Sequence, residues 1–299
     1  MKKVFSIIIF ALLPLLIVSD AASAGKINVV VSIYPLRDIV KQIGGDKLNV
    51  DFIVPAGASP HTFEPVPSDM IKISRARVLV IIGAGFEFWA DKAIRSAGRK
   101  DLKVIVLSKG MALIHDEYSE GGAKSHRHEV ADPHIWLDPL LTIEMVNKIK
   151  SVLVEMDGKN RAYYEERAEA FKRDLNALHL RIVESVRHFR TREYVTFHPA
   201  WNYFSKRYGL KVIGVIEESP GKEASPRHIA RIVEYIRKSG AGVVFAEPQF
   251  SPKTARVIAK EAGAKVLFLD PLGGPDIRGR ETYISLMEYN LMTIEEAMR

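Results

Sequence analysis

A chain of 299 residues with 47% apolar residues, 26% charged residues and a formal net charge of +7 has the make-up of an ordinary globular protein, long enough for two domains. It contains no cysteine, which removes disulfides, thiolate metal sites and thiol nucleophiles together. Lysine and arginine are scattered along helical stretches without a dense run or aromatic interleaving, so the basic balance does not point to nucleic acid.

Met1-Lys2-Lys3, an apolar run over residues 4–18 and Ala22-Ser23-Ala24 read as a secretory signal peptide over 1–24, with an apolar part too short to span a bilayer. Its removal takes two lysines and one aspartate and leaves a net charge of +6. The expectation is an exported protein, periplasmic or extracytoplasmic, with no cysteine-linked lipid anchor.

Residues 27–32, rich in β-branched side chains, predict a buried parallel strand. A helix follows from Tyr34-Pro35 to about Ile43, closed by Gly44-Gly45, and then a strand over 48–54. A short helix is expected over 69–77 with Ser68 as its cap, then a strand over 78–83, a helix over 86–97 and a strand over 104–107. Residues 110–131 carry Gly121-Gly122, three histidines and four acids without an apolar period, and read as a mobile surface loop. Asp138-Pro139 starts the next helix as cap and first residue. Over 160–190, Tyr164, Ala168, Phe171, Leu175, Leu178, Ile182, Val186 and Phe189 form one stripe at steps of three and four, unbroken by Pro or Gly. Strand and helix then alternate again, with strands over 194–197, 211–216, 243–247 and 266–270. The helices between and after them fall over 201–208, 226–238, 252–262 and 282–298. The pattern predicts an α/β protein of two lobes, each a mostly parallel sheet flanked by helices. The expected division is 1–24 signal peptide, 25–159 first lobe with the loop 110–131, 160–190 connecting helix and 191–299 second lobe.

The stretch Asp132-Pro133-His134-Ile135-Trp136-Leu137-Asp138-Pro139 places a histidine between acids and prolines. His61 follows Pro60 in the loop after one strand, and His198 precedes Pro199 at the end of another. Ligands in open α/β sheets bind outside the carboxyl ends of strands, and the prolines stiffen the backbone around each imidazole. His61, His134 and His198 are therefore the candidate metal ligands, although their separation in sequence makes no local motif. Asp132 and Asp138 are candidates to orient His134, with Asp138 assigned mainly to its helix cap. Glu247 and Asp270, at strand ends near the cleft, are candidate oxygen donors but read as mostly structural. His115, His126 and His128 either gather metal on the loop or belong to a solvated insertion. His179, His188 and His228 fall on helices and read as surface residues.

The segments Ser59-Pro60-His61-Thr62-Phe63-Glu64-Pro65, Asp132 to Pro139, Thr196-Phe197-His198-Pro199-Ala200-Trp201, Phe245-Ala246-Glu247-Pro248-Gln249-Phe250 and Thr282-Tyr283-Ile284-Ser285-Leu286-Met287 resemble the zinc/manganese substrate-binding proteins of metal ABC transporters, in order and over the whole mature chain. The resemblance implies two α/β lobes joined by a long backbone helix, with a metal site in the cleft. By motif its ligands are His61, His134 and His198, and a fourth position falls on Glu281, where the family has aspartate. Glu281 could bind directly, act through water or stay out. Three imidazoles favour zinc over manganese or iron. The implied protein is a monomeric, non-enzymatic carrier that captures Zn2+ and delivers it to a membrane permease. The alternatives are a manganese or iron carrier of the same family and, in another class, a secreted zinc hydrolase with Glu64 or Glu247 as base. No HExxH segment is present to support the last.

Overall fold

The computed structural model describes residues 25–115, 131–217 and 221–299. The expected signal peptide, His126 and His128 lie outside the described residues. In chain order the first sheet uses β1 (Ile27–Val31), β2 (Leu48–Phe52), β3 (Val78–Ile81) and β4 (Lys103–Val106), with α1 (Tyr34–Gly44), α2 (Pro67–Arg75) and α3 (Ala90–Ala97) between them. Next come α4 (Pro139–Met156) and α5 (Arg161–Arg187). The second sheet uses β5 (Glu193–Thr196), β6 (Lys211–Val215), β7 (Val243–Ala246) and β8 (Lys265–Phe268), with α6 (Asn202–Tyr208), α7 (Pro226–Ser239) and α8 (Lys253–Ala262) between them, and α9 (Tyr283–Met298) closes the chain.

Both sheets are wholly parallel in their described pairings. Their orders are β2-β1-β3-β4 and β6-β5-β7-β8. In each, the chain reverses direction across the sheet between the two central strands, β1 and β3 in the first and β5 and β7 in the second. Loops leaving the carboxyl ends of those strands diverge and open a crevice.

Burial on both faces explains why the strands read as unbroken apolar runs. Alternate residues feed different cores, because successive strand side chains point to opposite faces. Val29, Val31, Val78, Val80, Tyr194, Val243 and Phe245 face one large central cluster. Val30, Leu79 and Ile81 pack outward with Ile73 of α2 and Ala93 of α3. Val195, Val244 and Ala246 pack outward with α7 and α8. The central cluster also takes Leu36 and Ile39 of α1, Met145 and Ile149 of α4, the stripe of α5 and Met287 and Leu291 of α9. The inner faces of the two sheets thus share a single continuous core, and α5 runs through it. Its 27 residues extend about 40 Å.

Two local differences from expectation have clear causes. The helix expected over 86–97 begins only at Ala90, because the buried Glu87 carboxylate turns back to accept from the backbone N–H groups of Ile82 and Gly83, each at 2.9 Å. This holds 83–89 as a loop and sets Phe86 at the carboxyl end of β3. Helix α2 starts at Pro67 rather than behind a Ser68 cap, with Asp69 Oδ2 accepting from Val66 N at 3.1 Å. Asp138 behaves as expected and accepts from Leu140 N at 2.8 Å at the start of α4. No helix among the described residues is long and apolar enough to cross a membrane.

Candidate metal centre

His198 follows β5 and Glu247 follows β7, the two central strands of the second sheet, so the crevice there receives both side chains. The His198 Nδ1 to Glu247 Oε1 separation is 2.7 Å. From the first lobe come His61, at the end of the turn-rich loop after β2, and His134, in the tight turn before α4. Asp132 fixes that turn twice, accepting from His134 N at 2.9 Å and lying 2.7 Å from His134 Nδ1. Trp136 anchors it from behind by donating to Pro271 O at 2.8 Å.

The three imidazoles meet. His134 Nε2 lies 3.1 Å from His61 Nε2 and 3.3 Å from His198 Nε2, and one ligand atom from each ring falls within 4.8 Å of the others. Tetrahedral ligands about 2.0–2.1 Å from a zinc ion stand about 3.3 Å apart, so both pairs that include His134 have the spacing of a coordination shell. The carboxylates of Asp132 and Glu247 accept from Nδ1–H of their histidines, which fixes the tautomer and turns the Nε2 lone pairs to the centre. Burial first, and then the neighbouring His134 and His198 rings, push the His61 imidazolium down to about 2. His61 is therefore a neutral donor at any physiological pH.

The space among the rings measures about 10 Å3, the scale of an ion site rather than of a pocket for an organic ligand. Phe86 and Phe250 close it with edge contacts to His61 and His198 at centroid distances of 5.0 and 5.3 Å. Pro271 and Leu272 complete the wall. Three polar atoms of the lining residues are buried without a hydrogen-bond partner: Ser59 Oγ, Glu247 Oε2 and Gln249 Oε1. Gln249 is oriented by Asp270, whose Oδ1 accepts from Gln249 Nε2 at 3.1 Å. That carboxylate also accepts from Leu272 N, Gly273 N and Arg280 Nη1, so it ties the wall to the approach to α9. Gly273, at φ 62°, comes so close to Arg280 O that an added Cβ would lie 2.4 Å from it.

The remaining candidates lie elsewhere. Glu281 is not among the residues lining the space; its carbonyl oxygen accepts from Tyr34 Oη at 2.8 Å, and Asp38 holds the neighbouring Tyr283 N at 2.8 Å. Asp138 points to Arg207 Nε at 2.8 Å, away from His134. His115 is exposed and bridges to Ala131. His179 and His228 are half-buried, against Tyr208 Oη and Val215 O, while His188 is exposed. Sequence reading gave Gln249 no role and took Glu247 as mostly structural, whereas both line the space. Their signal was position, immediately after a central strand, in the segment Glu247-Pro248-Gln249.

Two parallel-sheet lobes with three imidazoles converging between them define the class: two-lobed α/β proteins whose crevice is built for an ion. The family described as ZnuA, zinc-uptake complex component A, periplasmic, matches residues 29–297, and the chain belongs to it. It is 32% identical over 307 residues to the zinc-binding lipoprotein AdcA of Streptococcus pneumoniae serotype 4, covering 99% of this chain and 61% of that relative. The chain thus spans about three-fifths of the length of that relative. It is 31% identical over 292 residues to the high-affinity zinc uptake system protein ZnuA of Bacillus subtilis, covering 94% of this chain and 90% of the relative. A crystal structure of ZnuA superposes with a TM-score of 0.81 at 32% identity, covering 91% of this chain and 99% of the other.

Proposed function

We propose that this chain is the extracytoplasmic carrier of a zinc ABC importer, which captures Zn2+ with His61, His134 and His198 and hands it to a membrane permease. The observation that carries the reading is the convergence of three imidazoles, with His134 Nε2 at 3.1 and 3.3 Å from the other two and two of the rings fixed through Nδ1 by buried carboxylates. Neutral imidazoles suit zinc better than manganese, which prefers harder oxygen donors. The lobes act as units over 25–159 and 191–299, with 160–190 as the rod between them. The carrier works as a monomer, binds no nucleic acid and catalyses no reaction. The signal-peptide pattern of residues 1–24 supports export.

We assign the fourth position to a water molecule rather than directly to Glu281. A zinc-bound water has two hydrogens to donate, and Glu247 Oε2 and Gln249 Oε1 are two buried acceptors without partners on the lining residues. Hydrolysis fits less well. Glu64 is exposed and off the lining, and a space of about 10 Å3 holds no organic substrate beside the ion. Zinc titration of metal-stripped protein tests the carrier reading: one tight site lost in His134→Ala supports it, and no tight site, or peptidase turnover, overturns it. X-ray absorption tests the fourth ligand. Three nitrogens and one oxygen that persist in Glu281→Ala support water, whereas loss of the oxygen in that variant overturns it.

A further inference from the structure

The three imidazoles are not held alike. Asp132 fixes His134 and Glu247 fixes His198, each at 2.7 Å from Nδ1. Among the described residues no carboxylate bonds to His61, which is also the least buried of the three. Its ring meets the other two imidazoles and one further ring, Phe86, at a centroid distance of 5.0 Å and an interplanar angle of 89°. That is an edge-to-face geometry that aromatic pairs prefer. Phe86 also leans on Trp136 at 5.3 Å, which Pro271 O anchors at 2.8 Å.

The loop that presents Phe86 is held against its own preferences. Gly83, Ala84 and Gly85 have φ of 80°, 54° and 79°, and Ala84 is the one residue with a side chain at positive φ among the described residues. A residue with a Cβ adopts that conformation only where its surroundings enforce it. At Gly83 a Cβ would lie 2.4 Å from Val106 Cγ1 and 2.7 Å from Ser108 Oγ, so the turn sits tight against the end of β4. Glu87 closes the loop: one carboxylate oxygen accepts from Ile82 N and the other from Gly83 N, both at 2.9 Å. Phe86 N donates to Gly83 O at 3.0 Å. Burying a carboxylate is unfavourable, and both oxygens of this one hold the turn that carries Phe86.

We propose that Glu87 is the third positioning carboxylate of the site, acting on His61 through Phe86 where Asp132 and Glu247 act by hydrogen bond. This rests on the carrier reading, with His61 as a ligand: the loop then sets how long that ring stays on the ion, and so how fast zinc is released.

Two variants of the full chain test it. Glu87→Gln keeps the shape but sets an amide NH2 against one of the two backbone donors. Phe86→Leu keeps a buried apolar side chain and removes the ring edge. Each should weaken zinc about tenfold in a competition titration, the low end of what partners of a metal-binding imidazole contribute, with transfer to a chelator faster by a similar factor. In a His61→Ala background both should change zinc affinity by less than about twofold, because a coupling disappears when one of its two groups is gone. Heteronuclear NMR relaxation of the imidazoles in metal-free protein should show the His61 ring loosened in both variants and His134 and His198 as rigid as before. A loop that only supports the fold would loosen all three rings and weaken zinc equally with or without His61. Either result, or unchanged zinc affinity in both variants, would overturn the assignment. Phe86→Leu carries the test should Glu87→Gln fail to fold. A parent chain without a tight zinc site would instead sink the carrier reading, and ring relaxation would still decide whether Glu87 positions His61.

Discussion

His134 shows how much a single ring depends on its neighbours. Its Nε2 faces the centre because Asp132 holds Nδ1 at 2.7 Å, and Glu247 does the same for His198. Such partners of a metal-binding imidazole typically contribute about 10–100-fold in affinity. Asp132→Asn and Glu247→Gln should each weaken zinc by about that factor in a competition titration, while His134→Ala should cost more. Gln249→Leu, which removes one water acceptor, should fall below both. His61 carries a pH signature. Its ionisation sits at about 2 in the folded chain against the ordinary imidazole value of 6.5. Below about pH 6.5 the unfolded chain therefore holds a proton that the metal-free folded chain does not. Stability from this group falls as the pH drops from there, by up to about 1.4 kcal/mol per pH unit. Urea denaturation of metal-free protein between pH 7 and pH 5 should show a shallower loss in His61→Asn than in the parent.

Element α5 illustrates a helix whose role follows from its packing. Tyr164, Ala168, Phe171, Leu175, Leu178, Ile182 and Val186 are all buried along one stripe, and the same cluster includes residues of α1, α4, α9 and both sheets. Truncating Leu178 to Ala should cost about 2–5 kcal/mol in denaturant unfolding, and the loss should appear in probes of both lobes as one transition. Helix α7 tests the opposite case. Ser225 caps it by accepting from His228 N at 3.2 Å, so Ser225→Ala should cost about 1 kcal/mol with no change in zinc affinity, since α7 packs on the outer face of its sheet, away from the cavity.

At the scale of the whole molecule, the shared core bears on how the metal site opens. Lobes joined only by a linker are free to hinge, whereas these share buried side chains on the inner faces of both sheets. Packed cores resist continuous deformation, so capture and release should proceed by loop shifts around His198 and His61. Small-angle scattering should then give the same radius of gyration with and without zinc. Binding to the folded state alone adds stability, and free zinc at a hundred times its Kd should raise unfolding free energy by about 2.7 kcal/mol. Chelation should reverse that gain in the same denaturation experiment.

Local patterns were enough to read the alternation of strands and helices, the α5 stripe, the Asp138 cap and the three proline-flanked histidines, because each rests on neighbours a few residues apart. The start of α3 was not legible, since it depends on a carboxylate folding back onto β3. The partners of the imidazoles needed the fold as well. Glu247 reaches His198 because β5 and β7 are adjacent, and Gln249 faces the cavity because Asp270, from another strand end, turns it there. Glu281 fell on the family's fourth position in sequence, yet the fold fastens its backbone to Tyr34 on α1. Sequence by itself determined which side chains could bind a metal; the order of strands in the sheets decided which of them meet, because contacts between distant residues are set by how sheets assemble and not by spacing along the chain.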